Sequence, residues 1–182
     1  PVTFNSVTLG ANTDTVNMIG AYTIVFRDSL TITAGSGTIK VTFPTGTTVP
    51  GSIATSNVTV NGTNASAVST NSGSRQVTVT TPTTFTGATI TLVLTAGAGI
   101  INAADSSTHA LQVATSAQPT AATSPNYTIK ATRTAINSLN VTTMTSYQTN
   151  VAVQWTWIFN TGLRGAMNIN LPDADTLFFN FH

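Results

Sequence analysis

The chain contains no cysteine and no glutamate. Without thiols, a disulfide framework and a thiolate metal site are both excluded. Charge of either sign is scarce. Only 6% of residues are Asp, Glu, Lys or Arg, against about 25% in an ordinary globular protein. The acids are Asp14, Asp28, Asp105, Asp173 and Asp175, and six Lys and Arg bring the net charge to +1. The pI near 8.8 therefore rests on one surplus charge. The clustered Lys and Arg of a nucleic-acid footprint are missing. No run of about 18 apolar residues occurs, so no membrane span is expected. Nor does any ten-residue stretch carry a helical apolar period.

What fills the polar positions is hydroxyl and amide. Threonine alone accounts for 39 of the 182 residues. A surface wetted this way has little self-repulsion, and near-zero net charge favours association. It also offers few ion pairs for salt or acid to disrupt.

The dominant period is two. "TIKVTF" (38–43) places Ile39, Val41 and Phe43 on one face, and "QVTVT" (76–80) does the same with Val77 and Val79. "TITLVL" (89–94) aligns Ile90, Leu92 and Leu94, and "YTIVF" (22–26) aligns Tyr22, Ile24 and Phe26. "ALQVAT" (110–115) and "NYTIKA" (126–131) offer Leu111, Val113, Tyr127 and Ile129. Such alternation, with threonine on the other face, means half-buried strands. Gly- and Asn-bearing segments such as "AGSG", "NG" and "NSGS" supply the turns between them. Pro44, Pro50, Pro82, Pro119 and Pro125 stand at strand ends, where no ladder N–H is required. The expected fold is all-β, an antiparallel sandwich of two sheets.

The chain also begins the same way twice. "FNSVTL" (4–9) aligns with "INSLNV" (136–141), "YTIVF" (22–26) with "WTWIF" (155–159), and "KVTFPTGTTV" (40–49) with "NINLPDADTL" (168–177). Three blocks in one order predict a tandem repeat. Residues 1–132 form the expected complete sandwich, and 133–182 an incomplete second copy of three or four strands. The start at Pro1 suggests a processed or excised product. The missing half of the second sandwich is expected either from further chain or from a neighbouring subunit, by strand addition.

"GTIKVTFPTGTTVPGSIATSNVTVNG" (37–62), "QVTVTTPTTFTGATITLVLTAGAGIIN" (76–102) and "NYTI" (126–129) resemble the tandem β-sandwich repeats of prokaryotic cell-surface and surface-layer-type proteins. The resemblance implies an Ig-like sandwich, export, and a structural or adhesive role, with no catalytic motif to transfer. "WTWIF" and "LFFNFH" (177–182) are more aromatic than that pattern.

Candidate chemistry is thin. His109, with Asp105 four residues before it, reads as a loop histidine, because no nucleophile elbow accompanies the serines. Asp173 and Asp175 in "LPDADT" are calcium candidates, since Ca²⁺ takes six to eight oxygens. The competing reading is a turn, as the first copy carries Thr45 and Thr47 there. "TAGAGI" (95–100) lacks the Lys of a phosphate loop. Five sequons mark Asn57, Asn61, Asn64, Asn126 and Asn140 as glycosylation candidates. The alternating Trp155, Trp157 and Phe159, and the alternating Leu177, Phe179 and Phe181, are candidate assembly contacts.

The expected protein is thus a non-enzymatic, extracellular structural subunit of a filament or layer. It carries no cofactor and polymerises with copies of itself by strand or sandwich completion. The alternative is an adhesin or carbohydrate-binding module with a cell-surface or glycan partner.

Overall fold

A computed structural model describes residues 1–132, 138–144 and 155–160. The chain divides into two compact units, Pro1–Ala131 and Thr132–His182. In the first unit the strands are, in chain order, β1 Val2–Leu9, β2 Tyr22–Asp28, β3 Thr31–Ile32, β4 Thr38–Thr42, β5 Val58–Val60, β6 Thr63–Asn64, β7 Ala67–Asn71, β8 Gln76–Thr80, β9 Phe85–Thr86, β10 Thr89–Leu94, β11 Thr108–His109, β12 Gln112–Thr115, β13 Ala122–Thr123 and β14 Tyr127–Thr128. Two five-stranded sheets carry the unit, in orders β1-β2-β10-β5-β6 and β13-β12-β4-β8-β7. Every pairing within them is antiparallel. The chain changes sheet between β2 and β4, and again before β5, β7, β10 and β12. The architecture is all-β and antiparallel, as the alternation predicts.

That alternation decides which face is buried. Tyr22, Ile24 and Phe26 of β2 are fully buried, and so are Ile90, Leu92 and Leu94 of β10. From the other sheet come Ile39 and Val41 of β4 and Val77 and Val79 of β8. All belong to one contiguous apolar cluster, so the two sheets share a single core. Each such side chain contributes roughly 1.5–3 kcal/mol of burial. Thr23, Thr38, Thr78 and Thr91, at the intervening positions, are only partly buried. Residues Asn61 and Gly62 join β5 to β6 with φ of +48° and +82°. Positive φ at both positions is the backbone of a type I′ hairpin turn, which explains the Asn-Gly pair.

Two polar contacts organise what apolar packing leaves open. The long connection from β1 to β2 is held by Asn102, which is 1% exposed. Its Nδ2 donates to the carbonyls of Thr13 and Thr15, each at 2.8 Å, and its Oδ1 accepts the Tyr22 hydroxyl at 2.6 Å. Gly20 lies so close that a Cβ there would sit 2.3 Å from Asn102 Oδ1. The Tyr22 ring packs edge-on against Phe43 and Tyr127. The second contact is Asp28, also buried, which accepts from Thr115 Oγ1 at 2.5 Å and from the Leu30 N–H at 2.9 Å. It ties the end of β2 to β12 in the opposite sheet.

Three strands depart from the sequence expectation. β7 shows no apolar alternation, since Val68 is its one large apolar residue, yet it pairs with β8 over five residues. The hairpin geometry of "NSGS" sets that pairing. Expected strands over 110–115 and 126–131 shorten to Gln112–Thr115 and Tyr127–Thr128. Leu111 and Ile129 stay buried all the same.

In the second unit, β15 Ser138–Met144 pairs antiparallel with β16 Trp155–Asn160. Its register shifts once, between Val141 and Thr143. The β1–β2 hairpin has the same form, with its shift between Phe4 and Ser6. In both hairpins the extra residue lies on the first strand. The aligned segments pair in both units, but Leu139 faces Phe159, where the alignment puts Trp157. A displacement of two residues keeps the alternation in phase.

Two outcomes follow. Asn102→Ala orphans the Tyr22 hydroxyl and two loop carbonyls, so it should cost about 1–3 kcal/mol in urea unfolding followed by circular dichroism. Burial raises the Tyr22 and Tyr127 phenols above their ordinary value of 10.0. The unfolded chain then releases these protons first. Stability should be intact below about pH 10 and fall as pH rises beyond it. A thermal midpoint that stays level between pH 9 and 12 would contradict this (both limits being approximate).

Candidate functional site

The connection from the second 3₁₀ turn, Ala96–Ala98, to β12 lines an open cleft at one end of the first unit. Its volume is about 540 Å³, and Pro44, Thr45 and Gly46 form the opposite wall. The "FPTG" segment builds that wall because Pro44 stands just past the end of β4 and Gly46 takes φ of +88°. A Cβ at Gly46 would also meet Ala103 Cβ at 3.1 Å.

Three side chains gather in the cleft. Ser107 Oγ donates to Asp105 Oδ2 at 2.6 Å and lies 3.2 Å from His109 Nε2. The same nitrogen is 3.5 Å from Asp105 Oδ2. The His109 side chain is 8% exposed and the Asp105 side chain 63% exposed. β11 positions His109 by pairing it with Tyr127 of β14, and the two ring centroids are 6.1 Å apart. The Ser107 hydroxyl, and to a lesser degree the His109 charge, hold the Asp105 carboxyl below the usual range.

Ser, His and Asp therefore meet, which the sequence did not foretell for His109. Their arrangement does not make a nucleophile. A triad places the serine on one imidazole nitrogen and the orienting carboxylate on the other. Here hydroxyl and carboxylate share Nε2, and the serine proton points to Asp105. Among the described residues, no group of three or more His, Asp or Glu is placed to hold a metal ion.

The structure sorts the other candidates. Asn57 closes the 3₁₀ turn Thr55–Asn57, where its carboxamide donates to the Gly97 carbonyl at 3.0 Å and accepts from Thr95 Oγ1 at 3.1 Å. Asn61 Oδ1 accepts the Thr91 N–H at 2.6 Å, and its Nδ2 donates to the Thr89 carbonyl at 3.3 Å. Both amides are thus tied to β10 and the turn that follows it. Asn64 and Asn126 are exposed, and among the described residues no hydrogen bond holds either side chain. Asn140 lies on β15 opposite Ile158, while Trp155, Trp157 and Phe159 lie on β16 opposite Met144, Val141 and Leu139. Asp173, Asp175, Leu177, Phe179 and Phe181 lie outside the described residues. Thr45 and Thr47, their counterparts to the aspartates, take the cleft wall and a buried site respectively. An apolar patch absent from the sequence reading is formed at Met18, Ile19 and Ile101, with Ile19 and Ile101 bridged antiparallel.

The depressed Asp105 carboxyl gives a direct readout. Its contribution is present above the ordinary Asp range and is lost as pH falls through its lowered value. Carboxyl NMR titration should place Asp105 below a free aspartate, and Ser107→Ala should move it back upward. An Asp105 midpoint unchanged by Ser107→Ala would contradict the hydrogen bond.

No family model matches the chain, and no curated protein is significantly similar to it in sequence. Among solved structures, the chain has a distant likeness to BslA, described as a bacterial hydrophobin. The likeness covers 72% of this chain and all of that one, at 14% identity and a TM-score of 0.46.

Proposed function

We propose that the chain is a non-enzymatic structural subunit of an extracellular cell-surface assembly, a filament or a layer built on Ig-like sandwiches. The observation that carries this reading is the near absence of charge on both outer sheet faces. Between them, β2, β4, β5, β8 and β10 present Thr23, Thr38, Thr42, Thr59, Thr78, Thr89 and Thr91, with Arg27 and Lys40 as the charges. Neutral, hydroxyl-covered faces allow copies to approach without the repulsion that keeps soluble proteins apart. The exposed Met18, Ile19 and Ile101 add apolar surface to the same unit. The unproductive Ser107–His109 geometry favours a structural over a catalytic role. Recurrence of a bulged hairpin in both units suits a repeat architecture.

In its finer form, the proposal is polymerisation by strand addition, with the alternating Leu177, Phe179 and Phe181 as the inserted strand. Head-to-tail donation does not close on itself, so it builds an open fibre. A second reading, a carbohydrate-binding module, is favoured by the open polar cleft beside His109.

Negative-stain microscopy of the purified chain should show ordered fibres or sheets. Soluble monomers that are retained on a glycan column would favour the second reading. Deleting residues 177–182 should abolish polymerisation while circular dichroism still reports a folded first unit. Fibres forming at the normal rate without that segment would overturn strand donation.

A further inference from the structure

We propose that two copies of the chain pair through the free edge of β7, strand against strand, about a two-fold axis at Ser69. This deepens the assembly reading by naming one contact between subunits, and it rests on that reading only for its place in a larger array.

The two sheets have four edges: β1, β6, β13 and β7. An unprotected edge strand is a template for another chain, and natural sheets blunt their edges with brevity, bulges, proline or charge. β6 and β13 are two residues long, and β13 lies between Pro119 and Pro125. β1 follows Pro1, carries a bulge after Phe4, and has β12, β13 and β14 packed beside it. β7 has none of these devices. Its five residues, Ala67, Val68, Ser69, Thr70 and Asn71, include no charge and no proline, and they pair with β8 without a bulge. Among the described residues no strand pairs with its other side.

The backbone shows what that side offers. Phe43 N–H donates to the Arg75 carbonyl and Thr81 N–H to the Gly37 carbonyl, which turns Val77 and Val79 toward β4. Gln76, Thr78 and Thr80 then turn toward β7, and the Thr80 carbonyl indeed accepts from Ser66. By alternation, the N–H and C=O of Val68 and Thr70 are left on the open side. An antiparallel second copy centred on Ser69 sets Val68 against Thr70 of the other copy, and Thr70 against Val68. All four exposed backbone pairs are thereby satisfied with no change of register. An isologous contact requires such self-complementarity. With no charge on β7 and a net charge of +1, nothing electrostatic opposes it.

The absence of cysteine makes the test clean. In this register the two Ser69 residues form a non-hydrogen-bonded pair, with Cα atoms about 4.5 Å apart. That lies within the span of about 4.4–6.8 Å that a disulfide bridges. Full-length Ser69→Cys should form a disulfide-linked dimer under mild oxidation about tenfold faster than Ser52→Cys, a control at an exposed loop position. Ser69 is exposed and its side chain holds no hydrogen bond among the described residues, so the fold should tolerate the change. Ser69→Lys, which sets like charges opposite each other, should raise the dimer dissociation constant in sedimentation equilibrium by about tenfold or more. Rapid cross-linking without fibres or layers in the micrographs would keep the edge contact and sink the wider assembly reading. Ser69→Cys cross-linking no faster than Ser52→Cys, with self-association unmoved by Ser69→Lys, would overturn the edge contact whether or not assemblies form.

Discussion

The Asn102 carboxamide accepts the Tyr22 hydroxyl and donates to the carbonyls of Thr13 and Thr15. Three otherwise independent parts of the first unit meet there: the start of β2, the long connection before it, and the segment after β10. Apolar burial gives each strand a face but does not place the twelve residues from Gly10 to Ala21. The Asn102 amide, with both ends satisfied, does so together with backbone bonds from Val16 to Lys130, Asn17 to Ala103 and Gly20 to Ile100, at a buried site where an unpaired group would be costly. The requirement extends to Gly20, whose missing side chain leaves room for the amide. It also extends to the Tyr22 ring, which packs on Phe43 and Tyr127 and so reaches the strands beneath the cleft.

A core fixed this way leaves the surface free of structural duty. Asp28 is the one carboxylate buried in the first unit's described residues, and it is bonded to Thr115 and Leu30. Asp14 pairs with Lys130 at 2.8 Å, and Asp105 joins the cleft. With so few ionised groups, salt has little purchase on stability. The same scarcity removes the usual barrier to association. Protection against unwanted pairing then falls to backbone devices at the edges, and β7 alone lacks them.

The cleft and the edge suggest different activities, and their chemistry differs in kind. The cleft concentrates hydrogen-bonding groups on one imidazole nitrogen, an arrangement that holds a loop together more readily than it transfers a proton. The β7 edge offers backbone donors and acceptors in a fixed register, which is the currency of strand pairing.

The sequence by itself determined the strand faces. Ile24, Val41, Val79 and Leu92 are buried because their period of two matches the pleat, and side-chain period is a local property. It also determined the Asn61-Gly62 turn, since positive φ at successive residues selects those two residue types. The segments aligned with "FNSVTL" and "YTIVF" also pair with each other, in a register two residues from the one the alignment gives. What only the tertiary structure decided depends on residues far apart in the chain. Asn102 reads as one more asparagine until Tyr22, 80 residues away, bonds to it. Asn57 and Asn61 look identical to Asn64 as sequons, yet bonds to Gly97 and Thr91 commit them to the fold. β7 carries no apolar alternation, so its strand state, its place at an edge and its open backbone groups come from pairing with β8. Hydrogen bonds between distant segments have no signature in local order, because any polar residue at either end satisfies the pattern equally well.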